Sequence, residues 1–82
     1  MPRYFFHILN GKKLIDDVGV EMADIEALKV EAVKFAGTIL MSEKPTDMWD
    51  GIPWEMKVTD RPSPIEGRTY LTLTLTAATV TP

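Results

Sequence analysis

The sequence predicts an α+β domain of ββαββ order, with one helix packed on one face of a four-stranded, mainly antiparallel sheet. Three observations carry this prediction. One segment has the apolar spacing of an amphipathic helix, two β-rich segments precede it, and two segments of alternating polarity follow it. The predicted strands are residues 3–9, 12–16, 54–60 and 70–76, and the predicted helix is residues 24–42.

The first two strands are predicted to form a hairpin that turns at Asn10-Gly11. Asn-Gly is the strongest short hairpin signal, because a type I′ turn needs positive φ at both central residues. A two-residue turn places His7 opposite Leu14 and puts Phe5 on the same sheet face. Because this register also puts Ile15 opposite Phe6, both faces of the hairpin are expected to be partly apolar.

The predicted helix begins after Asp24, whose carboxylate can accept hydrogen bonds from the free amides of the first turn. Pro45 is expected to end the helix region, because proline has no amide to donate. Phe35 is expected at the centre of the core. The face toward the sheet consists of Ile25, Leu28, Ala32, Phe35, Ala36 and Ile39, and a second, weaker apolar stripe consists of Val30, Val33, Gly37 and Met41.

The last two predicted strands alternate cleanly. Trp54, Met56 and Val58 are expected to face inward on the third strand. In the fourth strand the leucines face inward, and Tyr70 with the threonines faces outward. The up-and-down path of the chain makes the first and third strands an antiparallel pair, which leaves the fourth at an edge. An edge strand without proline, glycine or charge recruits other chains, so self-association is expected there.

Composition limits the function classes. The chain has 82 residues, no cysteine and a net charge of −3. We expect a single domain over residues 1–76, a frayed tail over 77–82 and no disulfide. The acidic balance argues against a general affinity for nucleic acid or anionic lipid. The sequence has no signal-peptide pattern and no segment of membrane-spanning length, so a cytoplasmic protein without membrane partners is expected.

One group of acids suggests cation chemistry. It consists of Asp16, Asp17, Glu21 and Asp24. Grouped carboxylates can hold Mg²⁺ or Ca²⁺, and Asp16 next to His7 could serve acid–base catalysis. The spacing matches no EF-hand loop, however, and a helix N-terminus favours nearby acids for electrostatic reasons alone. The sequence therefore assigns no catalytic residue, metal ligand or cofactor.

The predicted uncovered sheet face carries Phe5, His7 and Tyr70. Aromatic residues on a sheet face are typical of domains that stack RNA bases. The same face is nearly balanced in charge, with Lys12, Lys57 and Arg68 against Asp16 and Glu55. Because a nucleic-acid footprint is clearly positive, contact with another protein, most simply a second copy, is the favoured interpretation of this face.

The opening Met-Pro-Arg-Tyr-Phe-Phe-His of residues 1–7 resembles a family of small uncharacterised domains from alphaproteobacteria. The resemblance continues through residues 16–21, the helix start at 24–27 and Trp54 with residues 58–60. It departs from the usual pattern at 61–67, where family members have a tighter turn. The resemblance implies a shared fold and a bacterial cytoplasmic setting, and it implies no activity.

The favoured function is therefore that of a small, non-catalytic cytoplasmic binding protein whose partner is another protein, most simply a second copy of itself. Its candidate contact residues are Phe5, His7, Asp16, Asp17 and Tyr70. Two alternatives stay open. One is a small metal-dependent or acid–base enzyme that uses His7 and Asp16. The other is a weak single-stranded nucleic-acid binder that uses the open sheet face.

Overall fold

The computed structural model of the protein describes residues 2–11, 13–43, 47–63 and 65–80. This part of the chain has the predicted α+β class, with one α-helix and an open antiparallel sheet. The sheet has five strands where the sequence predicted four. The strands are β1 (Arg3–Leu9), β2 (Lys13–Leu14), β3 (Val20–Glu21), β4 (Trp54–Thr59) and β5 (Thr69–Leu75); the helix α1 spans Ile25–Glu43, and a 3-10 helix spans Asp47–Asp50.

The sheet order is β2-β1-β4-β5, and β3 pairs with the other end of β1. The two predicted central strands are indeed central: β1 and β4 pair antiparallel, with Phe6 opposite Val58. β5 pairs with β4 and lies at the outer edge. Residues 76–80 form no strand or helix, and Thr81 and Pro82 lie outside the described residues. The bounds of the domain and the frayed tail stay predictions.

The register of the first hairpin differs from the prediction by one residue. Leu9 pairs with Lys13 and Ile8 with Leu14, so the turn holds three residues instead of two. Gly11 has the expected positive φ of 88°, whereas Lys12 lies outside the described residues. A one-residue slip reverses the faces of a strand. Leu14 therefore lies opposite Ile8 on the helix side, and the predicted pairing of Leu14 with His7 is wrong.

The helix follows the prediction closely at its start. The Asp24 carboxylate accepts a hydrogen bond from the Ala27 amide at 2.8 Å, which is the predicted N-cap. Pro45, expected to end the helix region, lies outside the described residues. The buried core consists of Tyr4, Phe6, Ile8, Leu28, Ala32, Ala36, Trp54, Met56 and Val58.

Phe35 is not the central core residue that the sequence predicted. Its ring packs edge-to-face on Phe6, with ring centroids 5.7 Å apart, but its side chain is 37% exposed. The buried positions of the helix are Leu28 and the small Ala32 and Ala36, which let the helix lie close to the sheet. Phe35 therefore stands at the side of the helix, above one edge of the sheet.

A β-bulge changes the place of Tyr70. β4 and β5 pair regularly up to Val58 and Leu71, and the register then shifts so that Thr59 pairs with Thr69. The extra residue, Tyr70, breaks the side-chain alternation. Its ring meets Tyr4 edge-to-face at 5.2 Å and packs against the core. The prediction that Tyr70 shares the uncovered face with Phe5 and His7 is wrong.

Candidate functional site

His7 is fully buried on the sheet face opposite the helix. Its Nδ1 accepts a hydrogen bond from the Asp16 amide at 3.1 Å, and because an amide can only donate, Nδ1 carries no proton. Nε2 donates to Thr59 Oγ1 at 3.0 Å, and that hydroxyl donates to the Arg61 carbonyl at 2.7 Å. His7 thus has both ring nitrogens engaged and links the loop before β3 to the loop after β4.

The Asp16 carboxylate binds three backbone amides. Oδ2 accepts from Phe6 at 3.1 Å, and Oδ1 accepts from Val18 at 3.0 Å and Gly19 at 3.1 Å. Burial raises the pKa of Asp16, but these hydrogen bonds outweigh burial and hold the pKa below its ordinary value. The structure therefore brings His7 and Asp16 together, as the sequence suggested. The Asp16 carboxylate is bound by backbone amides, and the His7 ring is bound by the Asp16 amide and the Thr59 hydroxyl.

The other acids of the predicted group separate from Asp16. Glu21 forms an ion pair with Arg3 at 3.5 Å, Asp24 caps α1, and Asp17 is exposed. Among the residues that the structure describes, no three His, Asp or Glu side chains come together in a way that could hold a metal ion. Glu21 and Asp24 therefore serve as an ion-pair partner and a helix cap.

The aromatic platform suggested by the sequence is not assembled in the described part of the chain. Phe5 is only 8% exposed, because Gly19 lies against its ring: a Cβ added at Gly19 would stand 2.8 Å from Phe5 Cε2. Tyr70 contacts Tyr4 on the helix side instead. A flat pair of exposed rings for base stacking is therefore missing from these residues.

One edge of the sheet is closed along β1. β3 pairs with Arg3 and Tyr4, β2 pairs with Ile8 and Leu9, and the Phe6 amide between them is bound by the Asp16 carboxylate. We call this side the closed edge, formed by β2, β3 and residues 15–19 between them. Its two strands have only two residues each, which gives another chain little to pair with.

The opposite edge, along β5, carries no further strand in the described chain. The hydrogen bonds show which backbone groups face outward there. The Phe6 amide points away from β4, so Phe6 and Val58 form a non-hydrogen-bonded pair. Val58 therefore directs its backbone amide and carbonyl toward β5.

Alternation along β5 then fixes the direction of the remaining groups. Leu71 and Leu73 direct their amides and carbonyls toward β4, whereas Thr72 and Thr74 direct theirs outward. We call these outward groups of Thr72 and Thr74 the open edge. The seven residues of β5 include no proline, glycine or charged side chain.

A groove of about 510 Å³ runs between α1 and the closed edge. Its floor is Phe6 and Ile8, the helix wall carries Phe35 and Ile39, and the opposite wall includes Leu14. We call it the edge groove. The sequence reasoning missed it, because the predicted register placed Leu14 on the other sheet face. The signal that could have found it is the run of apolar residues at 14, 15, 18 and 20 in a segment otherwise rich in acids.

The single α-helix of the described residues is not long and apolar enough to cross a membrane. Residues 3–76 match a family described as a domain of unknown function, DUF6894, and the chain therefore belongs to that family. This agrees with the resemblance to an uncharacterised domain family. No curated protein and no solved structure matches the chain.

Proposed function

We propose that this DUF6894 domain is a non-catalytic bacterial cytoplasmic protein that works by binding, and that it forms a homodimer through the open edge. The observation that carries the proposal is the unguarded state of β5. Soluble proteins protect long edge strands with charge, proline, bulges or short length, because a free edge recruits other chains. β5 has a bulge only at its start, so residues 71–75 are left regular and unguarded.

A second copy fits this edge with a simple register. In an antiparallel pair about a twofold axis, Thr72 lies opposite Thr74 of the second copy, and both exchange N–H···O bonds. The axis passes Leu73, which meets its symmetry mate in the narrow, non-hydrogen-bonded pair. Every outward backbone group of the open edge then has a partner, and the two sheets become one.

The side chains beside the open edge favour the same contact. Leu71, Leu73 and Leu75 are only half-buried on the helix side, and a groove of about 130 Å³ separates Leu71 and Leu73 from α1. Val33 borders this groove and is 62% exposed. On the helix side, Lys29 and Glu26 are paired with each other at 3.2 Å, and on β4 the oppositely charged Lys57 and Glu55 lie opposite Thr72 and Thr74. Neither pair adds net charge at this contact.

Sedimentation equilibrium at tens of micromolar tests the proposal. The wild-type chain is expected to sediment as a dimer. Thr74→Pro removes an outward amide and leaves the β4–β5 hydrogen bonds intact, so it should give a folded monomer. Thr74→Val is the matched control, because it keeps the amide and a similar shape; it should remain dimeric. A monomeric wild type, or a proline variant with the mass of the wild type, would contradict the proposal.

The two alternative functions receive less support from the geometry. An enzyme built on His7 and Asp16 would need an imidazole that a substrate can reach. His7 is fully buried, and both of its ring nitrogens are hydrogen-bonded, to Thr59 and to the Asp16 amide. A nucleic-acid binder would need exposed rings where Phe5 is covered. We therefore advance neither.

A further inference from the structure

The edge groove is an exposed, mainly apolar surface. Its volume of about 510 Å³ lies in the range of functional pockets. Its large side chains remain well exposed: Phe35 is 37%, Ile15 44%, Leu14 47% and Val18 71% accessible. Contiguous apolar surface of this kind in a soluble protein marks an interaction site.

The wall of the groove formed by residues 15–19 is held in place by side-chain hydrogen bonds. Asp16 binds the amides of Val18 and Gly19, and Arg3 Nη1 donates to the Val18 and Gly19 carbonyls at 2.9 and 3.2 Å. Phe35, on the facing wall, is fixed against Phe6. A groove that is already formed binds its partner without the cost of ordering a loop.

The segment that forms one wall of the groove and the first half of α1 has more acids than bases. Residues 14–31 contain six acids and one base, whereas the rest of the chain contains six acids and eight bases. Asp16 lines the groove, the exposed Asp17 follows it in the chain, and Glu31 lies one helical turn before Phe35 on the same side of α1. Arg3 offsets Glu21, Lys29 offsets Glu26, and the exposed Lys34 offsets one further acid, so the balance around the groove is moderately negative.

The backbone of the closed edge decides the form of the partner. A strand cannot add to β1 here, because its edge is already bound by β2, β3 and Asp16. A partner must therefore bind through side chains that enter the groove, as an amphipathic helix does with apolar residues at positions i, i+3 and i+7. The acidic rim selects lysine and arginine on the rest of that helix.

We infer that the edge groove is a docking site for a basic amphipathic helix of another protein. Its apolar residues pack on Phe35, Leu14 and Val18, and its basic residues face Asp17 and Glu31. The site is independent of the proposed dimer, because the groove lies at the closed edge and the dimer contact at β5, the opposite end of the sheet. Each copy in a dimer would carry one free groove.

The probe is a fluorescent synthetic helix with leucine at i, i+3 and i+7 and lysine on its other face, and anisotropy measures its binding. An isomer with glutamate in place of lysine tests the charge. We expect saturable binding of the lysine peptide, amide shifts at residues 14–20 and 35–39, and at least about tenfold weaker binding of the glutamate isomer. Equal binding of both peptides, or no binding of either, would overturn the inference.

Val18→Lys tests the site within the protein, and Val30→Lys is its matched control. Both valines are exposed, at 71% and 61%, but Val30 lies on the helix face away from the groove. Val18→Lys should lower the affinity of the protein for the lysine peptide at least about tenfold, and Val30→Lys should leave that affinity unchanged. Equal effects of the two variants would overturn the inference. If Val18→Lys instead lowers the sedimenting mass of the protein alone, the groove is filled by a second copy and the inference is wrong.

Discussion

The closed edge and the open edge end the same sheet in opposite ways. Along β1, two strands of two residues each and the Asp16 carboxylate occupy the outward backbone groups. Along β5, Thr72 and Thr74 leave theirs without a partner in the described chain. β1 itself carries no proline and only Arg3 as a full charge, so its own residues do little to stop another chain from pairing with it. The comparison teaches that the neighbouring segment, and not the strand, protects this edge.

The largest expected effect concerns Gly19, on which the closed edge depends. Its φ is +75°, and an added Cβ would lie 2.8 Å from Phe5 Cε2 and 2.9 Å from the Tyr4 carbonyl oxygen. Gly19→Ala should therefore lower the free energy of unfolding by about 2–4 kcal/mol, through backbone strain and overpacking. Urea denaturation measures it. Gly37→Ala, in a helical site with open space, is the control and should be neutral or stabilising.

Removing the carboxylate that closes the β1 edge should have the next largest effect. Asp16→Ala leaves three amides without their charged acceptor and should cost about 1.5–3 kcal/mol of unfolding free energy. Hydrogen exchange at the Phe6 amide should accelerate more than at Phe6's neighbours in β1. The neighbouring exposed Asp17→Ala should change stability by less than about 0.5 kcal/mol. Equal effects of both substitutions would mean that Asp16 does not hold the edge.

Acid should weaken the closed edge by the same route. The pKa of Asp16 is lower in the folded protein than its ordinary value, so the unfolded chain takes up the proton first as the pH falls. The stabilisation is complete above the ordinary pKa and is lost as the pH falls through the folded pKa. Urea denaturation of wild type and Asp16→Asn should therefore show a stability difference that shrinks below about pH 4. A difference that grows in acid would reverse the assignment.

The smallest effect on stability is expected at the open edge. Thr72→Lys places a charge on β5 without touching a hydrogen bond to β4. Because Lys57 lies directly opposite Thr72, the two like charges should lower the unfolding free energy of the monomer slightly, by at most about 1 kcal/mol. The same substitution should abolish self-association, because a lysine on an edge strand blocks pairing. A stability loss above about 1 kcal/mol at low protein concentration would show that Thr72 is covered within the chain.

The sequence predicted the parts of the fold that have strong local signals. The helix with its Asp24 cap, the inward Trp54, Met56 and Val58, and the edge position of β5 are all confirmed. The spacing of apolar residues in these elements directly predicts which of their side chains are buried. β3 was missed, because two residues give no alternation to detect.

The errors arose where one residue changes the phase of a strand. The three-residue turn reversed the faces of Leu14, and the bulge moved Tyr70 to the helix side. Neither event has a sequence signal of its own. The hydrogen bonds of His7 depend on Thr59, which lies 52 residues away in the chain, so their geometry could not be read from local pattern. The Asp16–Gly19 turn was readable in principle, since an aspartate that bonds amides two and three residues ahead is a common turn motif.

The pairing of β1 with β4 also determines when the centre of the sheet can form during synthesis. β1 leaves the ribosome long before its central partner, because His7 and Thr59 are separated by 52 residues. Until β4 emerges, Phe6 and Ile8 can be covered only by α1 and the short strands of the closed edge. Closing so long a stretch of chain is slow, and domains dominated by such pairings fold in about milliseconds to seconds. The closed edge pairs residues close in sequence, so its contacts are the ones that β1 can make before β4 is available.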